Sequence, residues 1–359
     1  LEFSTTIHLK SSFIRDEHVV ASQGFHRRLC SHCHRAPGGG FDPALVDDVI
    51  FGCVSQVGAQ AANVGRNVVL ASRLPLSVPG TTVDRQCGSS QQAIHFAAQA
   101  VMSGTQDIVV AGGVESMTQL PLASNLVPTA NLGQPNSPAC QVTHGPGGWY
   151  SQFTGAELMA QKFGLTREAC DAFAVESHAK AHRATLQGHF KDEIVAVAGR
   201  DKEGNEVLHE ADEGIRAGTT LDALGKLDTL VKLGVCPPLD GCPDGVITAG
   251  NASQVSDGAA AVLVCNERGL AKLGPSARPL AQVKALALAG TDPILMLSGP
   301  IPATTAALHR ADLSVEDVDL FEVRRVRKEG RKEEVRGLVH RAGLSVEDVD
   351  LFEVRRVRK

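Results

Sequence analysis

The chain has 359 residues, enough for two domains of ordinary size or one large one. Hydrophobic residues at 43% and charged residues at 21% are those of a soluble globular protein with a substantial core. A formal net charge of −5 and a pI near 6.2 run against a nucleic-acid binder, and no apolar run is long enough to span a bilayer.

The first twenty residues lack the continuous apolar stretch of a secretory signal, and Glu2, Asp16 and Glu17 count against a transit peptide. Nine cysteines, an odd number without a regular framework, point to a reducing compartment, and the expected location is cytoplasmic. Residues 1–40 show little periodicity and end in a glycine run, so they are expected to be irregular.

From about Val46 the texture changes. VDDVIFGCV reads as a strand and AANVGRNVVLASRL as a helix ended by Pro75. TTVD reads as a short strand, CGSSQQAIHFAAQAVMSG as a helix closed by Gly104, and DIVVAGG as another strand. Alternating strands and helices with continuous apolar runs predict a layered α/β core with buried strands. Between about Gln119 and Gly245 the pattern loosens into an excursion from that core. One clear helix stands in it, LTREACDAFAVESHAKAHRATLQ, with Thr166 as cap and Glu168 and Asp171 near its first turn. The core resumes in DGAAAVLVCNE and in AQVKALALA, whose alternation predicts a strand. Residues 309–328 recur at 340–359 with one difference, Asp312 against Gly343. A single recurrence is no solenoid, and the charged stretch over 324–359 is expected to be a solvated tail.

Cys87 is the candidate nucleophile. It follows a short strand and opens a helix, where unpaired backbone amides and the helix dipole stabilise a thiolate. Gly88, Ser89 and Ser90 keep the first turn slim and leave room for a substrate. The alternative is an inert buried thiol. His95 is not its base, because eight residues of helix put it about 12 Å further along.

The segment VDRQCGSSQQAIHFAAQAVMSGTQDIVVAGGVESM, residues 83–117, resembles the nucleophile segment of thiolases without a gap. GVITAGNASQVSDGAAAVLV is similar to their second signature, and FTGAELMAQKFGLTREACDAFAVESHAKA to the loop domain that covers coenzyme A. DEGIRAGTT and LSGPIPATTAAL fit the same family further along, so the likeness runs from about Phe41 to Val323. The resemblance implies a layered αβαβα fold of two similar halves. Its expected divisions are an N-terminal domain over 41–270 with the loop domain at about 119–245 inserted, and a partial C-terminal domain over 271–323. It implies that Cys87 attacks an acyl thioester and that a second thiol resolves the acyl-enzyme, with the Cys87 N–H contributing to an oxyanion hole. By the same resemblance Ser253 touches the pantetheine of coenzyme A and Arg216 lies near its nucleotide end; the alternatives are a turn serine and a surface arginine. The implied partners are acyl-CoA and coenzyme A, which are substrates rather than cofactors, and a second copy of the chain in a homodimer or homotetramer. No cofactor, metal, membrane or nucleic acid is expected.

The second half departs from the family. The Asp-Leu-Phe-Glu lead-in stands at residues 319–322, but after Val323, where Asn-Glu-Ala-Phe should follow, the chain reads RRVRK. No Gly-His-Pro occurs and no cysteine follows Cys265, so the expectation is a truncated second half that lacks the proton-transfer groups. A catalytically incomplete acyl-CoA-binding protein or inactive subunit is therefore the alternative function. A ketoacyl synthase-like enzyme fits less well, because the long excursion suits free coenzyme A better than a carrier protein.

Weaker signals remain. Cys30, Cys33 and His34 spell a c-type haem attachment motif, and with nearby histidines could suggest zinc, but an export signal and a second ligand pair are lacking. Cys236 and Cys242 read as loop thiols, and residues 145–148 as a plain glycine-rich loop.

Overall fold

The computed structural model describes residues 5–14, 41–126, 137–144, 151–191, 194–200 and 205–318. In chain order its elements are β1 (Thr5–Ile14), β2 (Asp48–Gly52), α1 (Val64–Ala71), β3 (Gly80–Val83), α2 (Ser89–Met102), β4 (Ile108–Glu115) and α3 (Pro138–His144). There follow α4 (Gln152–Phe163), α5 (Arg167–Leu186), β5 (Val197–Arg200), β6 (Glu206–His209), α6 (Leu221–Gly225), β7 (Asp257–Cys265), α7 (Glu267–Leu273), β8 (Ala281–Gln282) and α8 (Pro300–Ala311).

These elements fall into two compact units. The first takes the described residues of Leu1–Pro135, Gly188–Gly214 and Val255–Lys284. Its centre is a mixed sheet in the order β3-β2-β4-β7-β1-β8. The strands β3, β2 and β4 are parallel and joined through α1 and α2, whereas β7 runs antiparallel to β4 and β1 antiparallel to β7. Val49 stands opposite Val110, and Val110 opposite Leu263. That register lines up Val49, Phe51, Ile108, Val110 and Leu263 in one buried cluster with Val68 and Val69 of α1. Continuous apolar runs without alternation are what strands covered on both faces require.

Two sequence expectations change here. The segment read as irregular contains β1, which pairs with β7 and, at Thr5 and Thr6, with β8. Its apolar residues Ile7, Leu9 and Phe13 do alternate with polar ones, but the Ser11–Ser12 interruption hides the period; the ladder register shifts between Leu9 and Ser12. Conversely, AQVKALALA supplies only the two residues of β8. A period-2 pattern becomes a strand only where a neighbour offers a ladder, and among the described residues the partner for this segment is β1, over two residues. The excursion is also divided: the β5–β6 hairpin lies in the first unit, because Val197 packs into its core.

The second unit takes the described residues of Asn136–Gln187, Ile215–Gln254 and Ala285–Lys359. It is helical, with α4 capped by Ser151 and α5 by Thr166, whose hydroxyl accepts the Ala169 N–H at 3.2 Å. A small apolar cluster of Leu230, Cys236 and Ile247 packs against Phe153 and Ala156 of α4. Most of the repeated segment and all of Cys30, Cys33, His34 and residues 145–148 lie outside the described residues.

Candidate functional site

Cys87 is exposed, in the turn between β3 and α2. It stands one residue before the N-cap Gly88, so it precedes the helix rather than opening it. Short polar side chains build the turn. Asp84 Oδ1 accepts the Gln86 N–H at 2.6 Å, while Ser89 Oγ accepts the Arg85 N–H at 3.0 Å and donates to the Gln86 carbonyl at 2.6 Å. These bonds hold Gln86 at φ +45°, a left-handed conformation that a residue with a Cβ adopts only under constraint. The Gly88 and Ser89 amides are engaged by the Arg85 and Gln86 carbonyls at 3.0 and 3.1 Å.

The floor of the turn is set by glycine. A Cβ on Gly52 would lie 2.2 Å from Ser89 C and Ser90 N, and one on Gly113 would lie 2.7 Å from Ser90 Cβ. The start of α2 therefore rests directly on the ends of β2 and β4. Below it, the Glu115 carboxylate accepts the Val54 N–H at 2.8 Å, the Ser55 N–H at 3.1 Å and the Gln60 side-chain amide at 2.9 Å. The roles of Gln86 and Glu115 had no signal in the sequence; those of Gly52 and Gly113 could have been suspected from glycine interrupting apolar strands.

The other described thiols are built differently. Burial, then the Glu115 and Asp84 carboxylates, push Cys53 up to about 12. Burial, then Asp171 and Glu157, push Cys170 up to about 11, and burial alone takes Cys265 to about 11. Cys236, read as a loop thiol, is buried, and desolvation followed by Glu157 raises it as well. His95 is buried on α2; desolvation and then Arg85 hold it below the ordinary histidine range. Among the described residues Cys87 is the one exposed cysteine.

Ser253 and Arg216 both fall in the second unit, and both are exposed. The Arg216 N–H donates to His178 Nδ1 of α5 at 3.2 Å, and desolvation followed by the Arg216 charge lowers the His178 pKa. Thr219 Oγ1 donates to the Arg216 carbonyl at 2.7 Å. The residues leading to Ser253 are held from two helices. Both oxygens of buried Glu157 on α4 accept the Val246 N–H, at 2.9 and 3.0 Å, and Oε1 also accepts that of Ile247 at 2.9 Å. Asp171 of α5 accepts from Asn251 Nδ2 at 2.8 Å. Gly245 sits at φ +68°, and a Cβ there would stand 2.7 Å from Glu157 Oε1. Among the described residues no group of three or more His, Cys, Asp or Glu could hold a metal ion.

A mixed α/β sheet with an exposed cysteine ahead of a helix packed against it defines a class of proteins that present a thiol to solvent from a hydrogen-bonded turn. Comparison with known proteins narrows the class. The family described as "Thiolase, N-terminal domain" matches residues 33–268, and "Thiolase, C-terminal domain" matches residues 277–326. The chain belongs to the thiolase family. It is 43% identical over 285 residues to the steroid 3-ketoacyl-CoA thiolase FadA6 of Mycobacterium tuberculosis, covering 79% of this chain and 65% of that protein. Against the 3-ketoacyl-CoA thiolase of Saccharophagus degradans the identity is 42%, covering 79% of this chain and 67% of the relative. The chain thus spans about two thirds of the length of these curated relatives. Among solved structures, the acetyl-CoA acetyltransferase of Bacillus anthracis superposes with a TM-score of 0.71 at 30% identity. Human mitochondrial 3-ketoacyl-CoA thiolase gives 0.71 at 29%; each match covers 89% of this chain and 79% of the other. Among the described residues no helix is long and apolar enough to cross a membrane.

Proposed function

We propose that the chain is an acyltransferase of the thiolase type that moves an acyl group between coenzyme A thioesters through Cys87. The Cys87 thiolate attacks the thioester carbonyl carbon, the bond from that carbon to the coenzyme A sulfur breaks, and coenzyme A leaves as a thiolate that takes up a proton. With a 3-ketoacyl-CoA the thiolate would attack the 3-keto carbon instead: the bond from it to C2 breaks, C2 takes up a proton as acetyl-CoA leaves, and a second thiol, that of coenzyme A, removes the acyl group from Cys87 by thioester exchange. In the condensing direction the acetyl group would pass from Cys87 Sγ to C2 of a second acetyl-CoA, which gives up a proton as the bond to sulfur breaks. The Cys87 N–H would stabilise the developing oxyanion, since the two amides after it are engaged within the turn. Ser253 would bind the pantetheine arm and Arg216 the nucleotide end. Thiolysis of 3-ketoacyl-CoA fits the names of the relatives, and formation of acetoacetyl-CoA fits that of the bacterial structure.

One observation carries this reading: Cys87 is exposed on a constrained turn while Cys53, Cys170, Cys236 and Cys265 are buried with raised pKa values. The test is intact mass spectrometry after incubation with acetyl-CoA, with peptide mapping. One acetyl group on Cys87, absent in Cys87→Ala, supports the reading; no adduct, or an adduct elsewhere, overturns it. A stoichiometric adduct that no added thiol removes would instead identify an acyl-CoA-binding protein without turnover.

A further inference from the structure

Asp171 reads in the sequence as one of the acids near the start of α5, and its pairing with Arg167 at 2.8 Å is an ordinary i,i+4 contact. Its surroundings are not ordinary. Asp171 is only 3% exposed, whereas carboxylates on a helix surface normally stay in water. Its second oxygen leaves the helix and accepts from Asn251 Nδ2 at 2.8 Å, eighty residues away in the chain.

Asn251 is the keystone of a tight turn. Its Nδ2 also donates to the Val246 carbonyl at 3.0 Å, so both amide donor positions are used, and its Oδ1 accepts the Thr248 N–H at 2.8 Å. Thr248 is fully buried, and its carbonyl accepts the Ala252 N–H at 2.9 Å. Arg167 carries the network further, donating to the carbonyls of Leu224 at 2.6 Å and Leu227 at 3.0 Å. Ser253 follows directly and is exposed. An exposed hydroxyl on a turn whose supports are buried charges is the arrangement that precise ligand positioning requires.

We propose that Asp171 is a positioning residue for coenzyme A binding: through Asn251 it fixes the turn that carries Ser253, and so sets the affinity for the pantetheine arm. The inference rests on the assignment of Ser253 to that arm. Coenzyme A affinity would be measured by titration calorimetry for the unmodified chain, Asp171→Ala, Asp171→Asn, Ser253→Ala and the double variant Asp171→Ala/Ser253→Ala. Binding of adenosine 3′,5′-bisphosphate, which lacks the pantetheine arm, and thermal melting would be followed in parallel.

Asp171→Ala is expected to weaken coenzyme A binding about tenfold, the scale of one charge-assisted hydrogen bond, with Asp171→Asn between it and the unmodified chain. Adenosine 3′,5′-bisphosphate binding should not change. In the Ser253→Ala background the Asp171→Ala effect should vanish, because two groups acting through one contact are not additive. An equal loss in both backgrounds, or an equal loss for the nucleotide fragment, overturns the positioning role while leaving the Ser253 assignment standing. Unchanged affinity in Ser253→Ala overturns that assignment and the inference with it. Should Asp171→Ala fail to fold, Asp171→Asn carries the same comparison, and wild-type affinity in it refutes the proposal.

Discussion

Gly52→Ala tests whether the seat of α2 on the sheet controls Cys87. The added Cβ would lie 2.2 Å from Ser89 C and Ser90 N and 2.6 Å from the Ser89 carbonyl oxygen. Non-bonded carbon contacts begin near about 3.5 Å, so the first turn of α2 must retreat by roughly 1 Å or β2 must yield. All three clashing atoms are backbone, so no rotamer change relieves them. Overpacking of this kind costs about 1–3 kcal/mol. The same displacement carries the Cys87 turn with it, because Ser89 Oγ binds both Arg85 and Gln86. A misplacement of about 1 Å can cost roughly 10²-fold in rate, which is the loss expected in Cys87 acetylation by acetyl-CoA. Urea denaturation and the time course of intact mass would measure the two effects. Gly225→Ala serves as control, since a Cβ there meets no atom within 4 Å. Wild-type stability and acetylation rate in Gly52→Ala would refute the steric account; lowered stability with a wild-type rate would separate Cys87 from the seat of the helix.

Other expectations are as direct. Limiting iodoacetamide should label Cys87 ahead of the other eight cysteines, and preferential labelling of Cys30 or Cys265 in the peptide map would contradict the assignment. A polypeptide of these 359 residues should turn over acetoacetyl-CoA and coenzyme A near background, because one missing general acid or base typically costs about 10²–10⁴ in rate. Turnover on the order of 10 per second, read from the loss of the 3-ketoacyl absorbance, would mean that other residues replace the Gly-His-Pro histidine and the second cysteine. His95 and His178 both have pKa values lowered from 6.5, chiefly by desolvation. Between their folded values and 6.5 the unfolded chain binds more protons, so their effect is nil above that window and stability falls as pH drops through it. Denaturation midpoints across that range should vary less with pH in His95→Gln; an unchanged slope would count against a desolvated His95.

Elements whose signals are local were legible from the residues alone. Apolar runs fixed β2, β4 and β7, Thr166 fixed the start of α5, and the segment around Cys87 carried the family resemblance without a gap. Each depends on neighbours within a few residues, through side-chain period, capping hydroxyls or backbone freedom. Contacts between distant segments were decided only by the tertiary structure. The alternation of Ile7, Leu9 and Phe13 became β1 because β7 offered a ladder, while AQVKALALA, with the clearer alternation, supplies only the two residues that face Thr5 and Thr6. Gly52 is required because a helix start far along the chain packs onto its backbone. Asp171 shows the division most plainly. Its place on the helix was legible from the cap, but its burial and its bond to Asn251 exist only once two segments eighty residues apart are brought together.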